Sequence, residues 1–176
     1  MSIAPKMRSI HNRSYTLMIP RKFHLFYMLV VLPLVGLFLY NTWEVFLTNQ
    51  LHHSIINGDS NQVKNLLKLG ADPNRGWTGT MGESPLIWAT MDSNNSIIDI
   101  LISGGSDINN KDRSGYTALM YVKSPQTADF LLRKGADPGI RSEEGLTAWQ
   151  YMKYSKLEKV AEVIMHAENR KYKIGR

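Results

Sequence analysis

His52 and His53 stand side by side, and imidazoles invite chemistry before most other side chains do. On a helix, neighbours point ~100° apart, whereas two shared metal ligands want i and i+4 spacing. The pair therefore reads as structural. The run "GWTGTMGES", residues 76–84, has the small residues of a phosphate loop but not the Lys-Ser/Thr that such a loop requires. It reads as a flexible connector. Glu143 and Glu144 lie in a polar stretch, where solvation is the default for paired carboxylates. No G-x-S-x-G, H-E-x-x-H or G-x-G-x-x-G occurs. With no cysteine, disulfides, Cys-type zinc sites and thiol nucleophiles are excluded. Asn94-Asn95-Ser96 fits a glycosylation sequon, which has meaning only in a eukaryotic secretory compartment. No catalytic set is visible, so the expectation is a non-enzyme with no cofactor, no metal and no small-molecule substrate.

The elements that would position a binding surface come next. The 176 residues allow one modest domain plus an appendage. The net charge of +6 suggests nucleic acid until it is located. Lys6, Arg8, Arg13, Arg21 and Lys22 precede residue 43 with no acid among them, leaving 16 basic against 15 acidic residues beyond. A nucleic-acid surface needs its charge on the folded face. The nearly neutral remainder argues against that partner. The closing run 169–176, "NRKYKIGR", reads as a short basic tail.

Residues 23–40, "FHLFYMLVVLPLVGLFLY", carry no permanent charge. Eighteen helical residues span ~27 Å, close to the ~30 Å hydrocarbon core. Pro33 is tolerated in membrane helices, and Tyr27, Tyr40 and Trp43 fall where amphipathic rings favour the interface. A cleaved signal would have a shorter apolar stretch and a small-residue cleavage site after it, but the chain continues "YNTWEVFLTNQ". A mitochondrial presequence would be amphipathic, and residues 1–22 are not clearly so. The expectation is a retained anchor over 23–43, with 1–22 a basic cytoplasmic segment and 44–50 a linker or helix extension. The first charges after the span, Glu44 and Asp59, are acidic. The positive-inside rule then keeps the N-terminus cytoplasmic and sends the rest across the membrane, to the periplasmic side in a bacterium.

Beyond the anchor, one phrase recurs: "LLKLGADPN" at 66–74, "ILISGGSDIN" at 100–109 and "LLRKGADPG" at 131–139. Each follows a short apolar helix pattern. Ser84 with Pro85, Thr117 and Thr147 are placed as helix starts, and Gly70, Gly105 and Gly135 as helix ends. Leu66, Leu67, Leu131 and Leu132 read as core, and Asp72 and Asp137 as turn-fixing residues. Asn57-Gly58 and Pro125 mark turns between paired helices. Neither helix of a pair can bury its apolar face alone, so stacking is required. Gly70 to Gly105 is 35 residues and Gly105 to Gly135 is 30, bracketing a 33-residue period.

"ESPLIWA", "GYTALMYV" and "GLTAWQYM" are similar to the ankyrin motif G-x-T-P-L-H-x-A, and the recurring phrase resembles its L-L-x-x-G-A-D-x-N close. The resemblance covers about residues 49–168. It departs at the motif's His, which is Ile87, Met120 and Gln150 here, with only His52 keeping it. The implied fold class is all-α: an ankyrin-repeat solenoid of about four helix-turn-helix repeats over 51–168 (about 51–80, 81–113, 114–143 and 144–168), preceded by one transmembrane helix.

The resemblance implies a protein-binding module that uses connector tips and the first helix of each pair. The tips carry Arg75, Trp77, Thr78, Met81, Lys111, Asp112, Arg113, Arg141, Glu143 and Glu144. The first helices present His53, Trp88, Met91, Tyr121, Tyr151 and Tyr154. Aromatic, Met and Arg side chains suit an interface centre. Trp88 and Tyr121 read equally as contacts and as packing between repeats, whereas Trp77, in a polar loop with little to pack on, is the foremost contact, with covering the neighbouring repeat as its alternative role. Two other readings stay open: an immunity or inhibitor protein capping a toxic enzyme, and a structural subunit whose span packs on others through Gly36.

Overall fold

The computed structural model describes residues 27–77 and 79–174. The basic segment 1–22, the start of the expected anchor at 23–26, and Thr78 lie outside the described residues. The chain divides into two compact units, one ending at Tyr40 and the other beginning at Asn41.

In the first unit a π-helical turn, Tyr27–Val31, leads into the long helix α1, Leu32–Ile56. Pro33 falls where the π-turn gives way to the α-helix, so its missing N–H interrupts no established ladder. Leu34, Leu37, Phe38 and Leu39 are all exposed. The helical stretch Met28–Ile56 reaches a mean hydropathy of 1.6 over eighteen residues, and none of that window is buried. It is long and apolar enough to cross a membrane, and a signal sequence has the same properties.

The second unit is a stack of helix pairs. The end of α1 pairs with α2 (Ser60–Lys68), and α3 (Pro85–Met91) pairs with α4 (Asn95–Ser103). A 3₁₀ turn, Ala118–Met120, precedes α5 (Pro125–Arg133), and α6 (Ala148–Tyr154) precedes α7 (Glu158–Ile174). Seven α-helices and no strand occur among the described residues. Leu51, Val63 and Leu66, then Leu86, Ile97 and Leu101, then Leu119, Met120 and Leu131, then Met152, Val160 and Ile164 form one continuous core. Each pair supplies a slab and borrows its neighbour's, so the stack is stable only as a series.

Local chemistry sets the helix limits. Asp59, Ser84, Asn94 and Ser124 each accept a backbone N–H from the first turn, at 2.9, 3.4, 3.1 and 3.1 Å. Pro85 and Pro125 take the first helical position, where no N–H is needed. Gly70, Gly105 and Gly135 have φ of +92°, +97° and +101°, which lets the next N–H turn back onto Leu66, Leu101 and Leu131 at about 3 Å.

Residues 44–50 take the helix-extension alternative, with Leu47 and Thr48 buried. The structure corrects the sequence reading at three points. The third pair lacks a first α-helix. Its block is about three residues short, and after one 3₁₀ turn the chain must already bend into the Ser124 cap. Thr117 is not a side-chain cap there, and its buried Oγ1 makes no hydrogen bond. Lastly, the basic run from 169 is helical as far as Ile174, and its Lys171 pairs with Asp137 at 2.7 Å.

Candidate functional site

Three connectors project between the pairs and are folded as tight fingers. In the second, the Asp112 N–H meets the Tyr116 carbonyl at 3.0 Å and the Gly115 N–H meets the Asp112 carbonyl at 3.0 Å. The third repeats this with Ser142 and Leu146 at 3.0 Å and Gly145 on Ser142 at 2.9 Å. The first is longer, and closes by the Trp77 N–H on the Glu83 carbonyl at 3.3 Å. Gly76 is required there, because a Cβ would fall on the Gly82 backbone.

The fingers are stitched to one another. The Arg113 N–H donates to the Met81 carbonyl at 3.0 Å, and the Glu143 N–H to the Ser114 carbonyl at 3.0 Å. Arg113 Nη1 reaches the Thr80 carbonyl at 3.1 Å, and Lys111 Nζ the Arg141 carbonyl at 2.9 Å. Below the fingers the "GxD" phrases form a second ladder. Asp72, Asp107 and Asp137 each accept the N–H two residues on, at 2.8, 2.9 and 2.9 Å. Asn74 then donates to the Gly105 carbonyl at 3.1 Å and accepts the Asp107 N–H at 2.7 Å. Asn109 accepts the Asp137 N–H at 2.8 Å, one repeat further along.

The aromatic rings gather in two clusters. Trp77 stacks on His52 with centroids 5.3 Å apart, meets His53 edge-on at 5.5 Å, and meets Trp88 edge-on at 5.6 Å. Further along, Tyr116 contacts Tyr121 at 6.0 Å and Tyr151 at 5.0 Å. The Tyr121 hydroxyl donates to Asp112 Oδ2 at 2.6 Å. Burial first, and then that hydrogen bond, push the phenol well above its ordinary range. Asp112 Oδ1 meanwhile accepts the Ser114 and Tyr116 N–H groups at 2.8 and 2.9 Å. A phenol held in its protonated form and a carboxylate already holding three donors make a structural lock.

His52 is fully buried, and its Nδ1 lies 2.9 Å from the Thr48 carbonyl. Burial lowers its pKa below 6.5, partly opposed by the nearby Thr48 and Glu83 carbonyls. Its Nε2 makes no hydrogen bond. Among the described residues, no group of three or more His, Asp or Glu converges for a metal ion.

The family described as ankyrin repeats (3 copies) matches the sequence over residues 51–142. The chain is an ankyrin-repeat protein. Its family builds protein–protein interaction modules. The match spans the first three helix pairs, and the α6–α7 pair lies beyond it.

In the ankyrin register His53, Trp88, Tyr121 and Tyr151 occupy one position in successive repeats, each directly after the motif's His or its replacement. The structure gathers them in two clusters, His53 and Trp88 on Trp77, and Tyr121 and Tyr151 on Tyr116. Trp77 takes up the covering role that the sequence left open. It is half-buried because the finger folds back over the first helices, giving the ring three aromatic neighbours. Asp112 is another correction: it is 7% exposed rather than a free tip. Arg75 pairs with Glu44 at 2.8 Å, and Arg141 Nη1 donates to the Gly145 carbonyl at 2.7 Å. Met91 is half-buried, whereas Met81 at 53% and Tyr154 at 84% stand open. Tyr116, Glu83 and the Asn74–Asn109 ladder escaped the sequence reading. Their signal was positional: Glu83 and Tyr116 both sit between the finger glycine and the helix-starting Ser or Thr.

Proposed function

We propose that this ankyrin-repeat protein is retained in a membrane by its apolar segment 23–43 and displays the stack beyond the membrane as a docking module for a protein partner. The observation that supports it best is a pair of partly exposed ring clusters, His53 and Trp88 on Trp77, and Tyr121 and Tyr151 on Tyr116. Rigid aromatic surface is a favoured interface anchor because it offers large contact area at little entropic cost. Met81, Met91 and Tyr154 add adaptable or open side chains to the proposed surface. Anchoring confines the partner search to the membrane plane and raises effective concentration there. The charge pattern supports an N-terminus in the cytoplasm and the stack outside it.

A photo-crosslinking amino acid at Met91, Tyr154 or, as control, Lys64 on α2 tests the docking face in the full chain in its own membrane. The expected result is the same discrete product from 91 and 154, and none from 64. Equal products from all three positions refute the assigned face. A reporter active only outside the cytoplasm, fused at the C-terminus, tests the topology. Silence, with a cytoplasm-active fusion working, refutes it.

A further inference from the structure

The last helix pair carries a groove that the stack does not close. It holds about 280 Å³ and is lined by Trp149 and Lys153 of α6 and by Glu158, Ala161, Glu162 and Met165 of α7. The pair packs on the 3₁₀ turn and on α5, yet neither of those contributes a wall. Ala161 is buried, whereas Trp149 and Met165 are only half-buried.

Trp149 stands at a position that the earlier repeats seal. Leu51, Leu86 and Leu119 also come directly before the motif's His or its replacement, and they are 0%, 1% and 1% exposed. In the last pair the same position holds a larger ring, and the ring stays partly open. Its indole interacts with the Glu168 carboxyl on α7, which limits its motion before anything docks. A solenoid ordinarily ends in a polar face. A steadied Trp beside a Met is instead the material of an interface.

The rim charges decide what covers it. Lys153 lies on the α6 bank, and Glu158 and Glu162 lie on the α7 bank. All three are exposed, and none forms an ion pair or a side-chain hydrogen bond with any described residue. Opposite charges thus share one groove without pairing across it. A purely basic or purely acidic partner would suit one bank and be repelled by the other. A second copy suits both. A two-fold axis through the groove sets each Lys153 against the glutamates of the other copy, so every favourable pair forms twice. We propose that this groove is the interface between two copies of the chain, with Lys153 of each opposing Glu162 of the other beside the facing Trp149 and Met165 side chains. The interface shares no residue with the docking face above and does not depend on it.

The absence of cysteine makes the test direct. Full-length Lys153→Cys and Glu162→Cys chains with different tags are reconstituted together in liposomes and oxidised, with Lys64→Cys on α2 as the control. The expected result is a mixed 153–162 disulfide that forms about tenfold faster than either mixed disulfide with position 64. Energy transfer between labelled copies then follows dimerisation. Lys153→Glu should weaken it about tenfold, and adding Glu162→Lys to the same chain should restore it. Restoration shows that the single change left the fold intact. Equal disulfide rates at all positions, no transfer between unaltered copies, or a dimer indifferent to Lys153→Glu overturns the proposal; in the last case the copies meet elsewhere. A photo-crosslinker at Met165 that captures a different chain and no second copy also overturns it, while crosslinking at 91 and 154 reports separately on the docking face.

Discussion

Asn74 is the residue whose loss should reveal how the stack is held. Its side chain makes two hydrogen bonds to the next repeat, donating to the Gly105 carbonyl at 3.1 Å and accepting the Asp107 N–H at 2.7 Å. Asn109, at the matching position one repeat on, makes one such bond, to the Asp137 N–H at 2.8 Å. A net hydrogen bond is worth about 0.5–1.5 kcal/mol, and water replaces part of it at these partly exposed sites. Asn74→Ala should therefore cost ~1–2 kcal/mol and Asn109→Ala ~0.5–1 kcal/mol. For a chain of this size, 1 kcal/mol moves Tm by about 2–4 °C. The expected falls are then about 2–8 °C and 1–4 °C, measured on the full chain in nanodiscs.

Hydrogen exchange locates the damage. Solenoid repeats contact only their neighbours, so each loss should stay local. Asn74→Ala should speed exchange of the Asp107 N–H and spare that of Asp137, and Asn109→Ala should do the reverse. The reasoning fails if Asn109→Ala costs as much as Asn74→Ala, or if both variants loosen the same amide.

Three further outcomes are expected. Trp77→Ala should lower stability by ~2 kcal/mol, below the ~3–5 of a fully buried Trp because the ring is only half-buried, while Tyr154→Ala should stay within ~0.5 kcal/mol; thermal unfolding of both compares them. Gly76→Ala should destabilise by ~1–3 kcal/mol, since its Cβ meets the backbone of Gly82, and proteolysis at the first finger should accelerate. The third concerns pH. Burial lowers the folded pKa of His52, so below 6.5 the unfolded chain takes up the proton first and stability falls as pH drops from 6.5 towards the folded pKa. His52→Asn should flatten the stability profile, followed by thermal unfolding between pH 7.5 and 5.

How much of this was legible follows from the range of the interactions. Helix starts at Ser84 and ends at Gly70, Gly105 and Gly135 depend on bonds within about six residues, and the letters declare them. The Asp72, Asp107 and Asp137 turns are equally local, spanning two residues each. The ring neighbours of Trp77 were hidden because the sequence around it is polar. Its burial comes from a fold-back that only the Gly76–Gly82 approach permits, onto rings 11 to 25 residues away. The third repeat shows the opposite failure. Its apolar spacing fits a helix, but three missing residues leave room for one 3₁₀ turn. Periodicity reports which face is apolar and says nothing about whether the turn can be completed.

The Asn ladder escaped for a further reason, and that reason narrows where recognition resides. Asn two residues after Asp reads as a generic turn residue, and its partners lie 31 and 33 residues on. Superposing the copies exposes it: Asn74 and Asn109 are followed by Gly139 in the third. Among the described residues no fourth loop of this kind follows, because the chain enters α6 and then α7, whose Lys171 takes the Asp137 carboxylate instead. The letter changes where its structural partner ends. The same logic applies to the finger cations. Lys111, Arg113 and Arg141 each donate to a backbone carbonyl of a finger, so their presence at the tips is already explained by stitching.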